Sequence, residues 1–241
     1  MKKIILLGLI ILVSVACTTP DIAVSDDLKT DAPAMVVKGR QGWQFNQVIK
    51  FGDYTTSKVK RGWTSKYDVA FYFRFQGAKE KLSFTQMTPD GKQAEILAVS
   101  KFRNEEVELI KGWLAAPLER TNTFAGTIIP SDSKEKVWEF ILYNPEGSFD
   151  KNNTECGLIK DPNGATVVIK AVKKLEGQKS WIQIDNYGFE FWSDNKAIGA
   201  VSTINNGKVW IKNSLNPELK LVVSAVSTSI LLRNSIEDKF D

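Results

Sequence analysis

Asn216-Pro217-Glu218-Leu219-Lys220 opens, and Arg233-Asn234 closes, a run that reads Leu221-Val222-Val223-Ser224-Ala225-Val226-Ser227-Thr228-Ser229-Ile230-Leu231-Leu232. Its start carries the marks of a helix N-terminus. Asn216 suits the cap, Pro217 the first helical position and Glu218 the positive end of the dipole, while Arg233 is placed to meet the opposite end. No face between them is polar; Ser224, Ser227, Thr228 and Ser229 are the only interruptions. A helix that is apolar all round must be enclosed by protein or lie in lipid. Crossing a bilayer takes about 20 apolar residues, more than this run offers. A pair of buried strands is the remaining reading, favoured by the Val, Thr and Ile content.

The chain before the run decides between them. Alternating or β-branched stretches occur at 43–51, 69–75, 81–87, 94–100, 123–129, 136–143, 157–160, 166–172, 181–184, 189–192, 197–204 and 209–212. Turn residues punctuate them at Gly52-Asp53, Pro89-Asp90-Gly91, Asn144-Pro145-Glu146-Gly147, Asp161-Pro162-Asn163-Gly164 and Asn205-Asn206-Gly207. Residues 104–118 are ambiguous. Asn104 suits a cap, and Val107, Ile110, Trp113 and Leu114 share one face of a short helix limited by Gly112 and Pro117.

Strands at hairpin spacing build a sandwich or a barrel. A helix of about 16 residues is about 24 Å long and about 10 Å wide, so a single sheet covers one side of it and a sandwich has no room inside. A closed barrel of ten or more strands has that room. The expected fold is therefore mainly β, in the sense of a β-rich α+β chain. It is a closed antiparallel β-barrel of about ten to twelve strands enclosing a hydrophobic helix at 217–233.

The order Gly188-Phe189-Glu190-Phe191, Ala197-Ile198-Gly199-Ala200-Val201, Gly207-Lys208-Val209-Trp210-Ile211 and the apolar close at 219–232 is similar to the tail of tubby-like barrels. That group comprises the tubby C-terminal domain, the phospholipid scramblases and the LURP-one-related proteins. The resemblance implies a closed barrel threaded by a hydrophobic C-terminal helix. It is clearest over 181–233 and rests on order and spacing. Neither the tubby phosphoinositide site nor the scramblase calcium segment has a counterpart here, so neither carries over.

The other end of the chain gives an address. Lys2 and Lys3 precede an apolar run at 4–15, followed by Ala16-Cys17, the order of a secretory signal. Val13-Ser14-Val15-Ala16-Cys17 resembles the lipobox of bacterial lipoproteins, with Ser14 where a large aliphatic is usual. The resemblance implies acylation of Cys17 and a location in the bacterial cell envelope. Thr18, in place of Asp, resembles outer-membrane sorting, on the periplasmic or the surface face. The expected organisation is a signal peptide at 1–16, a lipidated N-terminus and flexible tether at 17–38, and one barrel domain at 39–241. As a flexible coil, the tether would reach on the order of 25 Å and hold the domain clear of the headgroups.

Removing residues 1–16 takes away Lys2 and Lys3 and lowers the formal charge from +4 to +2. So weak and evenly spread a charge gives no reason to expect nucleic acid. With Cys17 acylated, only Cys156 remains, and it reads as a small buried hydrophobe. The chain has no histidine, which excludes Ser-His-Asp and Cys-His arrangements and His-containing zinc sites. Asp150-Lys151-Asn152-Asn153-Thr154 begins like a calcium loop, but Glu155 stands where Gly is needed. No cofactor is expected.

Lys58-Val59-Lys60-Arg61-Gly62-Trp63 interleaves cations with an aromatic ring. Lys58, Lys60, Arg61 and Trp63 are accordingly the candidate contact with an anionic surface, weighed against a plain solvated strand face. The expected function is a non-catalytic, membrane-anchored binding or scaffold module, with a lipid, a glycan or an envelope protein as partner. A carboxylate-dependent envelope hydrolase acting on glycan or lipid is the alternative. The two differ in whether a cleft presents facing carboxylates about 5–10 Å apart.

Overall fold

A computed structural model describes residues 20–41, 45–62, 80–100, 123–143, 154–177 and 186–237. The strands are β1 (Met35–Val36), β2 (Lys50–Phe51), β3 (Tyr54–Thr56), β4 (Lys60–Arg61), β5 (Glu80–Met87), β6 (Gln93–Ser100), β7 (Thr123–Pro130), β8 (Trp138–Tyr143), β9 (Glu155–Lys160), β10 (Thr166–Val172), β11 (Gly188–Ser193), β12 (Lys196–Ser202) and β13 (Lys208–Ile211). Among the described residues two helices accompany them, α1 (Asp26–Asp31) and α2 (Pro217–Glu237).

From β5 to β13 each strand pairs with the next, always antiparallel, so this part of the wall is one continuous meander. β1 extends it beyond β13, β3 and β2 extend it beyond β5, and β4 pairs with β5 off the main path. The two ends of the sheet then meet. Lys38 N donates to Lys50 O (2.8 Å) and Lys50 N donates to Lys38 O (3.0 Å). The result is a nearly closed antiparallel barrel with twelve strands along its path.

The meander follows from the turns that the sequence marks. Gly91 and Gly164 sit at φ +82° and +93°, which glycine adopts without strain. Asp194 and Asn195 also have positive φ, 49° and 61°, and join β11 to β12 as a two-residue hairpin. Side chains then alternate through the wall. Phe84, Ile96, Ala98, Phe124, Ile128, Phe140, Leu142, Ile159, Ile169, Phe189 and Phe191 belong to one buried cluster.

α2 fills that cluster. Every residue from 221 to 233 is buried, and Leu221, Val222, Val223, Ala225, Val226, Ile230, Leu231 and Leu232 pack among the strand residues. Its N-terminus is capped as expected, with Leu219 N donating to Asn216 Oδ1 at 2.8 Å. Three of the four polar interruptions are bonded inside, while the buried Ser227 hydroxyl has no hydrogen-bond partner among the described residues. Ser224 and Ser229 hydroxyls donate back to Leu221 O (2.9 Å) and Ala225 O (2.8 Å), and Thr228 Oγ1 donates across to Gln86 Oε1 at 2.8 Å. Gly199 on β12 lets the helix approach, since a Cβ there would lie 2.6 Å from Val223 Cγ1.

The far end of α2 differs from expectation. The helix runs to Glu237, one turn past 233, and Arg233 is not a surface cation closing it. Arg233 is 2% exposed, inside the barrel, with its guanidinium carbon 6.0 Å from the centre of the Phe124 ring. Among the described residues, no helix is long and apolar enough to cross a membrane.

Residues 20–38 also correct the expectation of a flexible tether, because the stretch up to Ala32 packs on the outside of the barrel and Met35–Val36 join its wall as β1. Ile22, Val24, Leu28 and Ala32 form a second cluster with Val172, Ala197, Ala200 and Trp210. Ala23 N donates to Lys174 O and Glu176 N to Asp21 O, at 2.9 and 2.8 Å. The chain runs down the wall through α1, meets Asn213 and Ser214 through Asp31, and returns as β1 beside β13.

The two ends of the barrel are unlike. At one, which we call the turn end, lie the short connections at 52–53, 88–92, 131–137, 161–165 and 194–195 and the start of α2. At the other, the loop end, lie the strand ends that bound 101–122, 144–153 and 173–187, the turn at 203–207 and the last turns of α2. The candidate helix at 104–118, the strands at 69–75 and 181–184, the turn at 144–147 and the start of a calcium loop at Asp150 lie outside the described residues.

Two outcomes follow for stability. A chain ending at Leu215 loses cooperative melting, and Leu231→Ala, fully buried on α2, costs about 2–5 kcal/mol in denaturant unfolding. Tyr54 stacks on Phe51 with ring centres 5.3 Å apart, and burial pushes its hydroxyl up to about 12, with Asp90 adding to the effect. A pKa raised by folding contributes stability that is present below pH ~10 and is lost as pH rises toward 12. Denaturant midpoints therefore fall through that window, and fall less in Tyr54→Phe.

Candidate functional site: a basic cleft beside the loop end

β10 alternates Val167, Ile169 and Ala171 toward the barrel interior, which leaves Lys170 on the outer face. β11 does the same, with Phe189 and Phe191 inside and Glu190 and Trp192 outside. Register sets Lys170 opposite Glu190 and Val168 opposite Trp192. Lys173 and Lys174 continue from the end of β10, and Ala23 of the packed N-terminal segment closes the far side. These residues line a cleft of about 410 Å³ together with Thr154.

The charges in the cleft have distinct roles. Glu190 is 6% exposed and accepts from Ser25 N (2.6 Å), Ser25 Oγ (2.8 Å) and Trp192 Nε1 (3.0 Å). Hydrogen bonds to an ionised acceptor are the strong ones, so this carboxylate staples the N-terminal segment to the wall. Lys170 Nζ lies 4.3 Å from the centre of the Trp192 ring, within cation–π range. Lys173 is 5% exposed and Lys174 is exposed. Three lysines against the single carboxylate of Glu190 make the lining basic. Cys156, on β9, is buried with its Sγ 3.6 Å from Ile169 O, and burial pushes the thiol up, away from thiolate chemistry.

The stretch singled out by sequence is divided by the wall. Lys58 and Lys60 are exposed on the outer face, with Val59 buried between them. Arg61 turns the other way, into a polar network at the loop end, where its Nη2 donates to Gln47 Oε1 at 2.9 Å. Gln47 Nε2 donates to Gly39 O and Arg40 O, both 2.9 Å. Arg40, 7% exposed, donates to Leu231 O on α2 (3.1 Å) and to Thr203 O and Asn205 O (2.7 and 2.8 Å). A cation at helix carbonyls near the C-terminal end is favourably placed in the dipole. Trp63 and Cys17 lie outside the described residues.

A smaller cavity of about 180 Å³ opens at the turn end among Lys92, Asp132, Lys136, Glu218 and Leu221. Both of its carboxylates are engaged. Asp132 pairs with Lys92, whose hydrogen bond and charge hold that carboxyl below the usual range, and Glu218 Oε1 accepts from Trp138 Nε1 at 3.1 Å. Among the described residues, no group of three or more His, Cys, Asp or Glu comes together.

Sequence reasoning did not find Lys170, Lys173, Lys174, Glu190 or Trp192 as a group. The visible signal was Glu190 itself, a carboxylate inside the otherwise apolar Phe189-Glu190-Phe191-Trp192. A charged residue in such a strand implies a dedicated partner. Replacing Glu190 by Gln is expected to cost about 1–3 kcal/mol of stability and to speed amide exchange at 22–28 ahead of the barrel strands. Compared with known protein families, with curated proteins and with solved structures, the chain matches none of them.

Proposed function

We propose that the protein is a lipid-anchored lipoprotein of the bacterial cell envelope, of the outer membrane in particular. Its barrel, tubby-like in plan, serves as a non-catalytic binding or scaffold module for a lipid, a glycan or another envelope protein. One observation carries this reading furthest. Asp21 is fixed at the loop end by its ion pair with Lys208 and by the bond from Glu176 N, only four positions after the lipobox-like Cys17. An extended chain spans at most ~3.3–3.6 Å per residue, so acyl chains on Cys17 would hold the loop end within roughly 15 Å of the headgroups.

Stable anchoring by more than one acyl chain fits a module that works at a surface, since a single chain binds only marginally. The barrel supplies a rigid body, and the basic cleft beside its loop end supplies a place for an anionic group. The competing hydrolase reading finds two carboxylates in the turn-end cavity. Yet both are engaged, Asp132 by Lys92 and Glu218 by Trp138 Nε1.

The anchor is tested by metabolic labelling with an alkyne fatty acid, intact mass and membrane fractionation of the wild type and of Cys17→Ser. The expected result is acyl mass on the wild-type chain, and a Cys17→Ser chain without it that leaves the washed membrane fraction. An unacylated wild type, or a Cys17→Ser chain still held by membranes, overturns the reading.

A further inference from the structure

We infer that the loop end is a membrane-contact face, with the Phe45 ring entering the lipid interface and lysines lying over anionic headgroups. This deepens the anchored reading by saying which face of the barrel meets the bilayer. Among the described residues, two large apolar side chains are exposed, Phe45 at 82% and Val36 at 54%. Both belong to the loop end. Val36 is the cross-strand partner of Lys208, the first residue of β13, and Lys208 in turn pairs with Asp21, where the packed N-terminal segment begins.

Phe45 is presented on a fixed base. Asn46 turns the chain at φ 55°, and the next residue, Gln47, is buried and tied to Gly39, Arg40 and Arg61. The backbone that follows the ring is thus tied to the barrel, so less of it remains to be ordered on insertion. Lys38, Lys60 and Lys174 are exposed around this end, while Lys208 is neutralised by Asp21. The exposed acids described there are Glu155 and Glu176. Basic groups within a Debye length of an anionic leaflet are attracted to it. The turn end, by contrast, exposes no large apolar side chain among the described residues.

The test uses the full chain purified from membranes and placed in nanodiscs of phosphatidylcholine, with and without phosphatidylglycerol. A photoreactive benzoylphenylalanine replaces Phe45 in one sample and Asn163, exposed at the turn end, in another. Lipid adducts are then read by mass. Adducts at 45 and not at 163, stronger with phosphatidylglycerol, are expected; equal yields at both positions, or none at 45, overturn the proposal. Intact mass of the same samples reports the state of Cys17 separately. If Cys17 proves unacylated, vesicles of phosphatidylglycerol are added to the chain: adducts at 45 then support the contact without the anchor, and their absence removes it. Phe45→Ser, at an exposed position that leaves the core intact, weakens vesicle binding of such a chain by roughly tenfold or more, and unchanged binding counts against the proposal.

Discussion

The enclosure of α2 is the constraint on which the rest of the structure depends. From 221 to 233 the helix has no face for water, so its side chains must be met by the surrounding wall or, as for Ser224 and Ser229, by the helix's own carbonyls. For the aliphatic residues the wall supplies Phe and Ile side chains from strands on every side of the barrel. It thins to Gly199 where Val223 comes close, and at Gly207 a Cβ would lie 2.5 Å from Leu231 Cδ2. For Thr228 it supplies Gln86, whose amide nitrogen reaches Thr55 O and Met87 O, both 3.3 Å away. A helix and wall matched at these points fix the rotation of one against the other. A turn of the helix by one residue would set Thr228 against hydrocarbon and drive Val223 away from its glycine.

How much of this could be read from the sequence depends on whether the cause was local. The strands from β5 to β13 were legible where turn chemistry marks them. Pro89-Asp90-Gly91, Asn163-Gly164 and Asn206-Gly207 each bend the chain for a reason visible in three or four residues. The Asn216 cap was legible on the same grounds. Arg233 was not, because a cation after an apolar run reads as a helix end, and its burial beside Phe124 depends on a strand more than a hundred positions earlier. Residues 20–38 were illegible for a related reason. Ile22, Val24, Leu28 and Ala32 are few and thinly spread, and they are held by main-chain bonds and by the Glu190 staple, none of which has a compositional signature. The cleft belongs with these failures. Lys170, Glu190 and Trp192 meet through strand register, and Ala23 arrives from the other end of the chain.

The contrast between the ends follows from a meander that must alternate. Odd connections fall at one end and even ones at the other, so the two-residue turns at 52–53 and 194–195 share one end and the Asn205-Asn206-Gly207 turn lies at the other. Here the loop end also receives the C-terminal turns of α2 and the buried guanidinium of Arg40. The exposed Phe45 lies there, and the packed N-terminal segment begins there.

That last placement changes what an acylated N-terminus would do. A free coil decouples a domain from its anchor, and the domain then samples all orientations above the membrane. A segment packed from Asp21 onward decouples nothing. Ser25 is bound twice by Glu190, Asp21 is paired with Lys208, and Ile22 and Leu28 are fully buried. The orientation of the barrel is then set by where the segment leaves the wall. The described segment begins at the loop end, beside Val36 and Lys208, so an acyl anchor on Cys17 would bring that end toward lipid and the polar turn end away from it. The folding energy that holds 20–38 in place also does the orienting, so weakening the staple would loosen the geometry of anchoring before it threatened the barrel.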